Sequence, residues 1–267
     1  MLRFFFDSLK ILINRRYLIM TMARREVASN YVGSLLGFIW TFIHPIVLIT
    51  VFWVVFSLGF RVKPMKDVPF VVWLTAGMAP WFVFSEMVSG TVGAVVGNGN
   101  LIKRSVFPSQ VLPVVKIFSS LANHLAFMLV LFVLIVFQRM PLSLYYLQAF
   151  YYLGCIMALS LGLGWMFSAL NVFIRDVGQM VAVILQIGFW ATPIFWKIGN
   201  LPVVLQKYIK LNPLYYIVQG YRDSFIYFVP FWQRTFLTVY FWAITIVLLF
   251  LGAMVFKRLQ PQFSDAL

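Results

Sequence analysis

The sequence predicts an all-α integral membrane protein: six transmembrane helices, an N-terminal amphipathic interface helix, and two short re-entrant helices on the outer side. Three observations carry that expectation. First, 63% of the 267 residues are hydrophobic and only 10% are charged, against roughly 25% charged in soluble domains. The mean hydropathy is +0.93, and a core this apolar needs lipid around it rather than water. Second, the apolar residues fall into six long runs. Third, one further segment is too polar to span and too apolar to be a free loop.

In chain order, the first segment carries Arg3, Asp7, Lys10 and Asn14 on one helical face, with Leu2, Phe5, Phe6, Leu9 and Ile13 on the other. It lacks the uninterrupted apolar stretch and small-residue cleavage site of a secretory signal. An amphipathic helix in the membrane interface is expected. The spans are expected at Leu35 to Phe60, Phe70 to Val96, Val111 to Phe137, Leu144 to Phe173, Val177 to Trp196 and Thr235 to Phe256. Each meets or exceeds the ~17–25 residues a helix needs to cross the bilayer. The whole reads as one domain, with an interface region 1–34, spans one to five over 35–196, outer helices 197–234, span six 235–256 and a tail 257–267.

Six spans put both termini on one side, and basic residues choose that side. Eleven Lys and Arg lie on the terminal side, six of them ahead of the first span, and nine lie opposite, with Lys116 inside a span. Five of those nine (Lys197, Lys207, Lys210, Arg222 and Arg234) belong to the atypical outer segment. Setting it aside leaves eleven against four, so both termini are expected in the cytoplasm. The net charge of +14 is then read as contact with anionic lipid, not nucleic acid.

The atypical segment, Lys197 to Arg234, is broken by Asn212-Pro213 and holds nine aromatics between Ile198 and Gln233. Two short helices dipping into the outer leaflet satisfy both the backbone and the aromatics. Small residues recur every four positions at Ser85, Ser89, Gly93 and Gly97, and more weakly at Gly33/Gly37 and Ser160/Gly164/Ser168. Such spacing lets helix backbones approach closely in lipid, within the chain or across a dimer seam.

Motifs for chemistry are scarce. There is no G-x-x-x-x-G-K-[ST] phosphate loop, so ATP hydrolysis of that kind is not expected here. No metal-ligand spacing appears, and Cys155 sits alone in an apolar run. Glu86 is the one acid deep in an expected span. An intramembrane charge is a functional hypothesis by default, although a single acid makes a poor proton relay and a structural pairing suits it equally well.

Four stretches resemble the type-2 ABC exporter permeases that move O-antigen, capsule and teichoic-acid polymers: Arg24 to Trp40, Asn98 to Pro113, Asn171 to Val177 and Leu211 to Asp223. They occur in order and at matching topological places. Ser109-Gln110 departs from the family, where a charged pair is expected. The resemblance implies a homodimer in the bacterial cytoplasmic membrane, partnered by two copies of a separate ATPase subunit that binds ATP and Mg, with no cofactor in this chain. It implies that the loop residues Asn100, Leu101, Ile102, Lys103, Arg104, Val106, Phe107 and Pro108 dock into the ATPase, and that the two outer helices form the exit gate.

Arginine suits phosphate through its fork of donors, so Arg24 and Arg25 are candidates for the head group of a lipid-linked polysaccharide, with lipid anchoring as the alternative. Aromatic rings offer amphipathic, rigid contact to sugar C–H faces. Trp40, Phe42, Phe189 and Trp190, with Tyr215, Tyr216, Tyr221 and Tyr227 of the outer helices, are candidates for a conduit and its gate. Two other functions compete: an exporter for a small drug or lipid, and a membrane enzyme transferring lipid-linked sugars. The enzyme needs convergent acids or histidines, whereas Asp7, Glu26, Asp176 and Asp265 are scattered along the chain.

Overall fold

A computed structural model describes residues 10–61, 68–104 and 107–267. The amphipathic residues 2–9, Lys63 and Lys66, and Val106 of the docking loop lie outside the described residues, as does the Arg104 side chain. The described chain is helical: α1 (Arg16–Ser29), α2 (Trp40–Val54), α3 (Phe70–Val92), α4 (Gly99–Arg104), α5 (Val111–Phe137), α6 (Gln148–Phe173), α7 (Asp176–Ala191), α8 (Val203–Lys210), α9 (Pro213–Arg222), α10 (Thr235–Leu259) and α11 (Phe263–Ala266).

Among the described residues, five helical stretches are long and apolar enough to cross a membrane: Gly37–Gly59, Phe70–Val92, Val111–Phe137, Leu144–Phe173 and Phe231–Ala266. The fifth expected span is shorter than its apolar run. Its helix ends at Ala191 because Thr192 turns extended (ψ 136) ahead of Pro193, and a residue before proline is pushed out of the helical region.

The central element is α3, the most buried of the spans. It packs against α2, α5, α6, α7 and α9, and Val72, Leu74, Ala76, Met78, Ala79 and Met87 are sealed from solvent. Helices α6 and α10 make the closest approach. A Cβ placed on Gly252 would lie 2.1 Å from the Gly162 carbonyl oxygen, and one on Gly162 would lie 2.8 Å from the Leu248–Leu249 backbone. Only two facing glycines permit such backbone contact. The Ser160/Gly164/Ser168 row is likewise internal, with Gly164 against Thr91 and both serines buried.

Gly33 and Gly37 serve a different purpose from the small-residue packing considered for them. Their φ values of 79° and 49° place both in the left-handed region, and neither has a neighbour within 4 Å of an added Cβ. They shape the turn from α1 into α2, a conformation glycine adopts without steric penalty.

Helix α1 lies on the start of α5. Ile19 and Ala23 pack with Val111, Val114 and Val115, and Glu26 forms an ion pair with Lys116, which explains a lysine inside an expected span. On the outer side, Asn212 caps α9 by accepting from the Leu214 N–H at 3.0 Å, and Pro213 occupies the first turn, where its missing N–H is no loss. The tail folds back under the bundle: Phe263 is buried edge-to-face on Phe256.

Candidate functional site

Helix α3 leaves one stripe uncovered. Ser89, Gly93 and Gly97 are exposed, Ser85 and Glu86 are partly so, and neither Gly93 nor Gly97 has a neighbour within 4 Å of an added Cβ. Three adjoining hollows share this stripe. One of about 480 Å³ is walled by Trp40, Thr41 and His44 of α2, Phe82, Ser85, Glu86 and Ser89 of α3, Asn123 and Phe127 of α5, and Asn30 and Tyr31 beyond α1. A second, about 540 Å³, lies at the end of α3 marked by Gly93 and Gly97 and includes Arg25, Glu26, Leu101 and Lys116. The third, about 420 Å³, is bounded by Leu48, Phe52, Gln186 and Phe189.

Within the first hollow, Asn123 Nδ2 donates to Glu86 Oε1 at 2.7 Å. Tyr31 and Thr41 share a short hydroxyl bond across its rim. Exposed His44 has no hydrogen bond to any described residue. Polar groups with open valences face lipid tails only at a large penalty, so this face is better suited to water, substrate or another protein surface. The expected partner for Glu86, a basic group or helix end, is instead a side-chain amide.

The aromatic candidates divide. Trp40 and Phe189 line the hollows, and Phe189 stands in a ring cluster with Phe52, Trp81, Phe82 and Phe195. Trp190 is 56% exposed beside them. Phe42 packs edge-to-face on Phe38 and borders none of the three hollows. Tyr227 is surface-exposed.

Tyr215, Tyr216 and Tyr221 are buried within the chain. Tyr216 bonds Tyr151 (3.1 Å) and Thr238 (3.0 Å), and Tyr221 shares a 3.0 Å bond with His124 Nε2. Helix α9 is buried nearly all round: eight of its ten residues are buried, Arg222 among them. Gly220 lets α9 sit directly on the Tyr152 ring, which a Cβ would approach to 2.1 Å.

Arg222, one of the basic residues of the outer segment, is placed inside the bundle. It is 2% exposed. Its Nη1 donates to the Pro193 carbonyl at 2.8 Å, and Nη2 to the Ile194 carbonyl at 2.7 Å. The guanidinium carbon lies 3.5 Å from the Trp73 ring centroid. Gly77 makes the room, since a Cβ there would come within 2.6 Å of Nη2. The neighbouring buried Asp223 pairs with Arg234 and accepts from Gln219 at 2.9 Å. The sequence signal was an Arg-Asp pair beside a glycine in an otherwise apolar chain.

At the other end of the bundle, the two candidate head-group arginines separate: Arg25 lines the second hollow, whereas Arg24 is exposed and lines none of them. In the docking loop, Asn100, Leu101 and Lys103 are exposed on α4, and Phe107 and Pro108 are half-buried. Ile102 is half-buried, packed on the tail cluster of Val95, Phe256 and Phe263. Ser109 and Gln110 are buried, where an uncharged pair avoids the cost of burying charge, and the Gln110 backbone carbonyl accepts from Trp165 Nε1 at 3.2 Å. No cluster of three or more metal-ligating side chains occurs among the described residues.

A family model described as ABC-2 type transporter matches residues 17–226. The O-antigen export system permease protein RfbA of Klebsiella pneumoniae is 25% identical over 264 residues, covering 97% of this chain and 100% of that protein. RfbA of Myxococcus xanthus is 26% identical over 258 residues, 94% and 96% of the two chains. The polysialic acid transport protein KpsM of Escherichia coli is 21% identical over 201 residues, 75% and 78% of the two chains.

Proposed function

Because the chain belongs to the ABC-2 type transporter family, we propose that it is the permease subunit of an ATP-driven exporter moving a lipid-linked polysaccharide across the cytoplasmic membrane. The observation that carries this reading is the uncovered stripe of Ser85, Glu86 and Ser89 on the most buried helix, continued by Gly93 and Gly97 just beyond its end. A polar, small-residue surface running along a membrane helix is suited to an aqueous path between two copies of the chain. A polymer too long to be enclosed needs such a path. Trp40, Phe189 and Trp190 supply ring surfaces along it, over which a sugar chain slides. Near-full-length similarity to O-antigen permeases supports the same substrate class.

In this reading α7 is the fifth of six spans: its 16 residues reach about 24 Å, and residues 192–196 complete the crossing. Both termini are cytoplasmic, α8 and α9 form the outer gate, and Arg25 faces the phosphate of the lipid carrier. The ATPase docks on the exposed part of α4, namely Asn100, Leu101 and Lys103. ATP and Mg belong to that partner, and this chain performs no chemistry.

The docking assignment is tested by Leu101→Asp combined with Lys103→Glu. The expected result is normal membrane insertion, reduced co-purification of the ATPase and lost export. Undiminished co-purification would place the docking surface elsewhere.

A further inference from the structure

The hollow at Glu86 has a chemistry that a sliding path does not need. An aromatic wall requires no carboxylate, and a dimer seam requires no open imidazole. Here Glu86, fixed by Asn123 through one oxygen, stands in the same wall as His44 and the hydroxyls of Ser85 and Ser89. Phe82 and the half-exposed Trp40 flank them. No described residue donates to the second oxygen of Glu86 or bonds the His44 ring. The set therefore offers convergent acceptors and donors beside a flat apolar ring, in a space of about 480 Å³. That matches one sugar ring, whose hydroxyls need directed hydrogen bonds and whose C–H face needs an aromatic surface.

We infer that this hollow is a fixed subsite for one uncharged sugar residue, held by Glu86, Asn123 and His44 against Trp40. The inference rests on the conduit reading above and deepens it. Position sets its purpose. Glu86 lies within two turns of the α3 end that leads to Gly93 and Gly97, and His44 lies one turn into α2. The subsite thus adjoins the hollow that contains Arg25. A sugar bound there is one of the first beyond the phosphate of the carrier. Composition sets its preference: the described lining holds no Lys or Arg to pair with an acidic sugar, and its side-chain oxygens accept hydroxyl donors from neutral ones.

The test uses the full permease–ATPase complex in phosphatidylcholine nanodiscs, assembled with a cysteine-free ATPase and with Ser89→Cys in a Cys155→Ser permease, so that the only thiol lies in the hollow. Labelling by a charged, membrane-impermeant thiosulfonate reports water access. Maltose, mannobiose and diacetylchitobiose are added one at a time as probes, with glucuronic acid and glycerol at equal concentration as controls. At least one neutral disaccharide is expected to slow labelling several-fold, and glucuronic acid and glycerol are expected not to. Added Glu86→Ala or Asn123→Ala is expected to abolish the protection while labelling itself persists. Labelling without protection by any neutral disaccharide overturns the subsite and leaves the conduit standing. Equal protection by glycerol reassigns the hollow to lipid head-group hydroxyls and also overturns it. A thiol that cannot be labelled at all in the assembled complex overturns the conduit reading and the subsite with it.

Discussion

Replacing Arg222 by Met should release the outer helix pair without unfolding the bundle. Methionine keeps much of the volume and removes the charge and all five donors. Two buried carbonyls, Pro193 and Ile194, then lose their partners, at about 1–3 kcal/mol each. The contact with Trp73 contributes about 2 kcal/mol more when desolvated. Relief of the guanidinium's own desolvation offsets several kcal/mol of this. Asp223 retains Arg234 and Gln219, so no second charge is orphaned. The net expectation is a local loss of about 2 kcal/mol, or about 30-fold in the opening equilibrium. Hydrogen exchange of the purified transporter reads it directly: amides of Pro213–Arg222 should exchange about 30-fold faster, and those of Phe70–Val92 should not change. Arg222→Lys keeps the charge but cannot span both carbonyls with a fork, so it should fall between the two. Unaltered exchange in Arg222→Met would show that the latch has no energetic consequence.

Gly252→Ala drives a methyl into the Gly162 carbonyl at 2.1 Å; overpacking of this kind typically costs about 1–3 kcal/mol and here should lower the thermal midpoint in detergent, whereas the uncrowded Gly97→Ala should not. Tyr221→Phe removes only the bond to His124 and should lower stability by about 1 kcal/mol, measurable by the same melt. Because Tyr215, Tyr216 and Tyr221 are core residues, replacing all three by Ala should reduce the amount of folded permease in the membrane, and full protein levels with selective leakage would restore them as gate-lining groups. Arg25→Lys should weaken export more than Arg24→Lys, since only Arg25 borders the groove; equal effects on surface polymer would point to simple lipid anchoring.

Composition and run length made the spans legible, because hydropathy over some twenty residues is a large signal. The ends were less so. The fifth run outlasts its helix, since apolarity continues past Thr192 while Pro193 breaks the backbone. The small-residue rows could be found but not assigned. Ser160/Gly164/Ser168, Gly33/Gly37 and Ser85/Ser89/Gly93/Gly97 look alike in sequence, yet one is internal packing, one a turn, and one an open face. Which neighbour covers a row is a tertiary fact. The same holds for aromatics: Trp40 and Tyr216 share a composition argument, and only the packing of α9 on Tyr152 separates a wall residue from a core one. Lys116 was legible as a charge inside a span and Arg222 only as one basic residue of the outer segment, and their partners Glu26 and the 193–194 carbonyls are distant in sequence.

The two ends of the protomer are joined through α7. Gln186 and Phe189 stand on the groove side of that helix. One turn beyond, the chain leaves the helix and presents the Pro193 and Ile194 carbonyls to Arg222. A displacement of α7 at the groove therefore moves the acceptors that hold the outer helix pair. At the opposite end, Leu101 belongs both to α4 and to the wall of the hollow that contains Arg25, while Ile102 ties the same helix to the buried tail. Force applied to α4 thus reaches the groove wall directly, with α1 held to α5 by Glu26 and Lys116 as a fixed reference. An interior packed to crystalline density does not deform continuously, and discrete contacts such as the Arg222 fork convert a small shift into a choice between held and released.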